Sequence, residues 1–277
     1  MIRIVVDSAA DCGCNPGVYD HLIPLNVTVG GRDYLDSVEL SADRFYELLI
    51  VSEEFPKTSQ PSPEAYFKVF RNAKKAGDDV LCFTVSSALS GTYQSASIAK
   101  EMVEYDRIYI IDTCAASHLI AMLVEFARKR IDEGATAETI VSECEALKGR
   151  IKVFAGLDTL EYLQKGGRLG KTSAAVGQIA GIKPIVTFTP EGLVSMAGKA
   201  IGVPRAMAAI ISKLQQVQLD PDFPVYSLYT SGMGNTAKLG EKLLKVGVQI
   251  TEPRQVGPTI GAHVGPNVYG VVFVVKE

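Results

Sequence analysis

The feature that most constrains this chain is a change of rhythm near residue 150. Up to that point, short β-branched runs at 2–6 (IRIVV), 80–85 (VLCFTV) and 107–111 (RIYII) alternate with stretches of helical period at 41–50, 64–75, 91–104 and 116–133. Strands separated by helices lie parallel in one sheet, because a tight hairpin cannot join them. The run at 22–29 (LIPLNVTV) predicts a further strand, after which GGRDYLD makes a turn, and a helix is expected at roughly 136–148.

From residue 151 the strands come closer together. They are expected at 151–155, 184–189, 193–197, 225–230, 248–252 and 269–275, with helices at 203–216 and 234–246 and a hairpin turn at TPEGL, 189–193. That pattern predicts a mixed sheet. A chain of 277 residues is long enough for two cores, so the expected division is a domain over 1–150 and another over 151–277. No flexible linker separates them, so the halves are expected to pack tightly, with a pocket between them as the default site.

Composition narrows the partners. The net charge is −3, the sequence pI is about 5.8 and no block of basic residues occurs, which argues against nucleic acid or an anionic membrane as the main partner. Met1 leads directly into strand-like IRIVVD without the zones of a signal peptide, so a cytoplasmic location is expected. Of the five cysteines, Cys82 and Cys114 sit in or beside apolar stretches, as buried thiols do. Cys12 and Cys14 form a lone CxC with no second pair or nearby histidine, so no metal site is expected.

Several motifs bear on chemistry. KGGRLGKTS, 165–173, ends like a phosphate-binding loop, but Lys165 stands where the pattern G-x-x-x-x-G-K-[ST] needs glycine, and the preceding DTLEYLQK is helical rather than strand-like. Gly166 and Gly167 read instead as a helix C-cap. They aim Arg168, which is either an anion clamp or one half of a structural ion pair. SSALSGTYQSA, 86–96, packs hydroxyls around Gly91 at the end of a strand, but it lacks the glycine two places before Ser90 that a hydrolase nucleophile elbow requires. What remains is a helix N-terminus suited to an anion, or a helix capped by Ser87 or Ser90. TSQPSP, 58–63, fixes a loop carrying Thr58 and Ser59, and GPTIGAHVGPN, 257–267, holds His263, a lone histidine of the kind that is often structural.

Taken together, DSAAD at 7–11, TSQPSP, SSALSGTYQSA, DTLEYLQKGGRLGK at 158–171, IKPI at 182–185 and IGAHVGP at 260–266 resemble the DegV family, the acyl-binding subunits of bacterial fatty acid kinase and their relatives. The resemblance implies an α/β fold with two domains: an N-terminal three-layer α/β/α domain with a mainly parallel sheet, and a C-terminal two-layer α/β domain with a mixed sheet. It also implies a long-chain fatty acid of the palmitate, stearate or oleate class, held in a tunnel with its carboxylate at the domain junction. By similarity Thr58, Ser90 and His263 bind the carboxylate, and Ser59, Gly91, Thr92 and Arg168 support that network. The implied role is a carrier without cofactor or catalytic residues of its own. Its partners would be a separate ATP-dependent fatty acid kinase that forms acyl phosphate for phospholipid synthesis and, transiently, a membrane during lipid exchange.

The chain departs from the family pattern at Asn267, at His118 after Ser117, and at GKAIGVPR, 198–205. Two rival readings use the same residues: a serine acyl hydrolase built on Ser90 and His263, with Arg168 at the oxyanion, and an anion-binding regulatory protein.

Overall fold

The computed structural model describes residues 1–14, 17–169 and 181–276. The first 112 residues supply strands β1 (Ile2–Asp7), β2 (His21–Ile23), β3 (Asn26–Val29), β4 (Arg32–Leu35), β5 (Lys57–Ser59), β6 (Asp79–Thr84) and β7 (Ile108–Asp112), with helices α1 (Ala42–Val51), α2 (Pro63–Ala76) and α3 (Thr92–Val103) between them. Four of these strands form a parallel sheet in the order β2-β1-β6-β7.

Both faces of that sheet are buried, so its strands read as unbroken apolar runs. Ile4, Val6, Leu81 and Phe83 face one way, toward α4 (His118–Asp132) and α5 (Ala137–Lys148). Val5, Val80 and Cys82 face the other, against Tyr66 and Phe70 of α2 and Ala96 and Ala99 of α3. The sheet is thus the middle of three layers.

The run at 22–29 proves to be two strands in two different sheets. Pro24, which has no N–H to give a ladder, separates them. β3 turns through Gly30 and Gly31 into β4, so only the glycines of GGRDYLD form the turn, and β5 pairs on the far side of β3. The resulting three-stranded antiparallel sheet carries Thr58.

The second half contains β8 (Ile151–Gly156), α6 (Glu161–Lys165), β9 (Ile182–Phe188), β10 (Val194–Ile201), α7 (Val203–Leu214), β11 (Tyr226–Tyr229), α8 (Gly234–Lys245), β12 (Arg254–Gln255), α9 (Pro258–Val264) and β13 (Tyr269–Val274). Its mixed six-stranded sheet has the order β10-β9-β8-β13-β11-β12. The strand expected at 248–252 is not there. Val248 and Ile250 pack against the α7–α8 side of the sheet, with Ile250 against Gly240, and the edge strand forms only at Arg254–Gln255, after Pro253.

The outer face of the mixed sheet packs on α7 and α8 through Ile185, Val271 and Phe273. Its inner face, including Val153, Ala155, Val186 and Val272, shares one continuous core with the first half. Helix α4 lies in that shared core with His118 and seven apolar side chains from Leu119 to Ala127 buried, as befits a helix covered on several sides. Among the described residues no helix is long and apolar enough to cross a membrane, and no cluster of metal-binding side chains occurs.

Candidate functional site

The strand end that precedes the serine-rich segment is tied down before the serines begin. Asp7, at the end of β1, accepts hydrogen bonds from Val85 N (2.7 Å) and Ala9 N (3.0 Å), and Ser86 N donates to Ala115 O (2.8 Å). A tight turn follows, with Ser90 N donating to Ser86 O, and α3 starts at Thr92. Neither Ser87 nor Ser90 caps it. The N-cap is Gly91 and makes no side-chain cap bond, while Ser90 Oγ lies 2.8 Å from Thr92 Oγ1. The start of a twelve-residue helix, whose first amides lack intrahelical acceptors, thus adjoins the Ser90 hydroxyl.

Thr58 reaches that space from β5, where it pairs with Val27. Its Oγ1 is 2.8 Å from Nε2 of His263, across 205 residues of sequence. His263 sits on α9, a seven-residue helix with Gly261 at its centre and a glycine at each cap, a composition with weak helical propensity. Buried carboxylates from the first half hold the start of α9. Asp36 accepts from the amide and hydroxyl of Thr259, and Asp11 accepts from Gly257 N. Ser8 ties into the same group by donating to Asp36 and accepting from Leu25 N, while Ser117 donates to Asp11. Burial pushes all three carboxyls up, Asp7 to about 7 and Asp11 and Asp36 in the same direction.

His263 also lies against the turn that carries Arg168. A Cβ on Gly166 would fall 2.3 Å from His263 Nδ1, so only glycine lets the two segments approach this closely. Gly166 N donates to Tyr162 O and Gly167 N to Gln164 O, ending α6 as the paired glycines predict. Arg168 then bridges the two sides of the site: Nε donates to Leu89 O (3.0 Å) and Nη1 to Gly166 O. Among the described residues it makes no ion pair with a carboxylate, and Nη2 has no partner. Burial first, and the Arg168 charge second, push the His263 imidazole down to about 4. The ring is neutral at physiological pH.

These groups stand at one end of a cavity of about 330 Å³. Thr58, Ser59, Ser90, Gly91, Arg168 and His263 line its polar end, whereas Ala9, Leu25, Val85, Leu89, Phe188 and Val194 form apolar wall. Thr92 is fully buried and stands behind Ser90 rather than on the wall, and Ser59 is exposed at the rim. Beyond Ala116, Phe188, Val194, Ile260 and Val264, which belong to both, a deeper pocket of about 60 Å³ is lined chiefly by aliphatic side chains of the mixed sheet. A third cavity of about 190 Å³ lies past Phe188 and is bordered by Cys114, Lys148 and Lys152.

The arrangement has the chemistry of an anion site opening into an apolar chamber, and among the described residues it lacks the contacts of a catalytic triad. His263 bonds Thr58 rather than Ser90, and its buried Nδ1 has no hydrogen-bond partner among the described residues that could orient it. The near-miss phosphate loop at Gly170, Lys171 and Thr172 lies outside the described residues. Of the sequence departures, Asn267 adopts φ +61° and donates to Asp158, His118 is fully buried with Nε2 3.1 Å from Gln255 O, and 198–205 runs from β10 into α7; none of these lines the main cavity.

Sequence reasoning missed the Leu89 carbonyl that anchors Arg168, the contact between Gly166 and His263, Asp36 and Thr259, and the apolar wall. Asp36 follows a glycine turn and a short polar strand, so only its fully buried position marks it out.

The family model described as "Uncharacterised protein, DegV family" matches residues 1–276. A DegV domain-containing protein of Caldanaerobacter subterraneus subsp. tengcongensis is 34% identical over 281 residues, covering 99% of each chain. Among solved structures, a fatty-acid-binding DegV family protein from Thermus thermophilus aligns with a TM-score of 0.88 at 31% identity over 99% of each chain. A stearic-acid-binding protein from Eubacterium ventriosum aligns with a TM-score of 0.88 at 26% identity, covering 100% of this chain and 99% of its own. The fold, the motifs in their order and these matches along the whole length lead to one conclusion: this chain belongs to the DegV family.

Proposed function

We propose that this protein binds one long-chain fatty acid, holding the carboxylate at Thr58, Ser90 and His263 and the acyl chain in the apolar cavity behind them. The observation that carries this reading is the contrast between two adjoining cavities: hydroxyls, an arginine and a helix N-terminus border the first, and the second, which shares part of its wall, is lined chiefly by aliphatic side chains. Relatives described as fatty-acid-binding, at 31% and 26% identity, support it.

The head-group chemistry follows from the neutral imidazole. With the proton on Nε2, His263 donates to Thr58 Oγ1, and the Thr58 hydroxyl proton is then free to point at a ligand oxygen. The opposite tautomer would bury an N–H at Nδ1 with no acceptor, which is costly. Ser90 supplies a second hydroxyl, α3 its unpaired amides, and Arg168 Nη2 a charge-assisted donor, so a carboxylate leaving water would find several hydrogen bonds. The acyl chain supplies most of the affinity, at roughly 0.8 kcal/mol per buried CH₂.

In this reading the chain is a carrier. A separate ATP-dependent kinase supplies the phosphoryl group, and the carrier presents the carboxylate and retains the acyl phosphate. Mass spectrometry of lipid extracted from the purified protein tests the binding: near-stoichiometric fatty acid is expected, and protein that is lipid-free and also refuses added palmitate and oleate overturns the reading. The division of labour is tested with ATP and oleate. The isolated chain is expected to yield no acyl phosphate, and a mixture with a cognate kinase subunit to yield it; turnover by the isolated chain, free of contaminating kinase, contradicts the carrier role.

A further inference from the structure

Among the described residues one borders all three of these cavities: Phe188, the last residue of β9. Among the described residues the main cavity and the outer 190 Å³ pocket have no other lining residue in common, so Phe188 is the described residue that stands between them. The deep apolar pocket meets the outer one along Leu119, Val153, Thr187 and the same ring.

The backbone behind the ring is pinned. Phe188 pairs with Val194 across the hairpin, whose tip is closed by Thr189 N donating to Leu193 O (2.8 Å) and Gly192 N to Thr189 O (3.0 Å). That tip presses on the first half of the molecule. Gly192 has φ +80°, and a Cβ there would lie 2.2 Å from Ser86 Oγ and 2.8 Å from Cys114 Cα. With the backbone held on both sides, the ring's position is set by two side-chain torsions and its packing.

The surroundings differ on the two sides of the ring. On the inner side the deep pocket is aliphatic apart from Ser117 and Thr187. On the outer side stand Glu145, Lys148 and Lys152. Lys148 is engaged by Asp112 O (2.9 Å) and Glu145 (2.7 Å), whereas Lys152 has no ion pair among the described residues. A methyl terminus pushed past Phe188 would leave aliphatic wall for hydrated charges and gain little from burial.

We propose that Phe188 is the stop that sets the upper length of the acyl chain this protein retains. The inference rests on the fatty-acid reading above: a chain whose methyl end reaches the deep pocket is fully buried, and a longer one meets the ring.

The test loads the full chain from an equimolar mixture of saturated acids of about 12 to about 22 carbons and reads the retained acids by native mass spectrometry. Wild type is expected to show a length cutoff. In Phe188→Ala the cutoff moves at least two carbons longer, and retention of the first excluded acid rises roughly tenfold, which is what two further buried CH₂ groups are worth. Lys152→Leu is expected to leave the wild-type cutoff unchanged and to extend it further when combined with Phe188→Ala. Phe188→Leu, a smaller change in volume, shifts the cutoff less and replaces the alanine variant should circular dichroism show that variant unfolded. A folded Phe188 variant that retains fatty acid with the wild-type cutoff overturns the stop. A wild-type protein that retains none overturns the fatty-acid reading instead.

Discussion

At the Thr58 end of the cavity, each polar atom is delivered by a different element: a short edge strand, the turn before α3, the turn after α6, and α9. At the Phe188 end the wall is the inner face of one sheet, lined by side chains that belong to the shared core. The first region depends on a few contacts between segments far apart in sequence. The second depends on volume, which many neighbours share. Single-atom changes are therefore expected to act at the head and single-volume changes at the tail.

The largest effect is expected from filling the junction. Ala116 lines both the main and the deep cavity, and Ala116→Leu adds three carbons where about three CH₂ groups of a ligand would lie. At roughly 0.8 kcal/mol each, oleate affinity should fall about 50- to 100-fold by fluorescent-ligand competition. Unchanged affinity would place the acyl chain elsewhere.

Next come the hydroxyls. Ser90→Ala and Thr58→Val are each expected to weaken oleate binding by about 1–3 kcal/mol, the cost of leaving a buried charged group short of a donor. Because neither serine caps α3, Ser90→Ala should barely alter Tm. A large loss of Tm with unchanged affinity would assign the hydroxyl to stability.

A smaller effect is expected from Gly166→Ala. Gly166 has φ −72°, a backbone that alanine adopts freely, so the substitution tests only the contact with His263 Nδ1. A roughly tenfold loss of affinity is expected, about 1.4 kcal/mol, close to that of His263→Ala. A variant with wild-type binding would show that the imidazole need not stay where it is.

The smallest effect is a pH dependence. The His263 pKa is pushed down to about 4 from the ordinary 6.5, so between those values the unfolded chain binds the proton that the folded one refuses. His263 therefore contributes stability that is fully present above about 6.5 and is lost as pH falls toward 4. His118, pushed down to about 3, adds a contribution of the same sign, and Asp7, raised to about 7, adds one of opposite sign between 3.8 and 7. Chemical denaturation from pH 7 to 4.5 should show a shallower loss for His263→Gln than for wild type, and identical slopes would contradict the assigned environment.

The same contrast explains what was legible in the sequence. The parallel sheet was readable because Ile4, Val5, Val6, Leu81, Cys82 and Phe83 are buried on both faces and leave unbroken apolar runs. Thr58, Ser90, Arg168 and His263 stood out as polar residues in Gly- and Pro-rich loops, and the structure gathers them about one cavity. The tail end was not legible. Val153, Val186 and Val268 look like any strand or loop hydrophobes, and whether they meet a side chain or a cavity depends on how the mixed sheet sits against α4. Helix α9 was hidden for a different reason: Gly261 at its centre disfavours a helix, and the carboxylates that fix its start, Asp11 and Asp36, lie more than two hundred residues away. The misplaced strand at 248–252 shows the limit of apolar alternation, since Val248 and Ile250 pack half-buried, as loop residues, against the cluster beneath α7 and α8.

Whether the polar end of the cavity holds an ionised carboxylate is decided by comparing palmitate with hexadecanol as competitors for a bound fluorescent fatty acid at neutral pH. The two share a chain and differ in the head group, so the tail contribution cancels. Palmitate is expected to bind roughly 100-fold more tightly, through one or two charge-assisted hydrogen bonds worth about 1.5–3 kcal/mol each. Equal affinities would contradict it, leaving an apolar chamber whose surrounding hydroxyls, histidine and arginine do not recognise an acid.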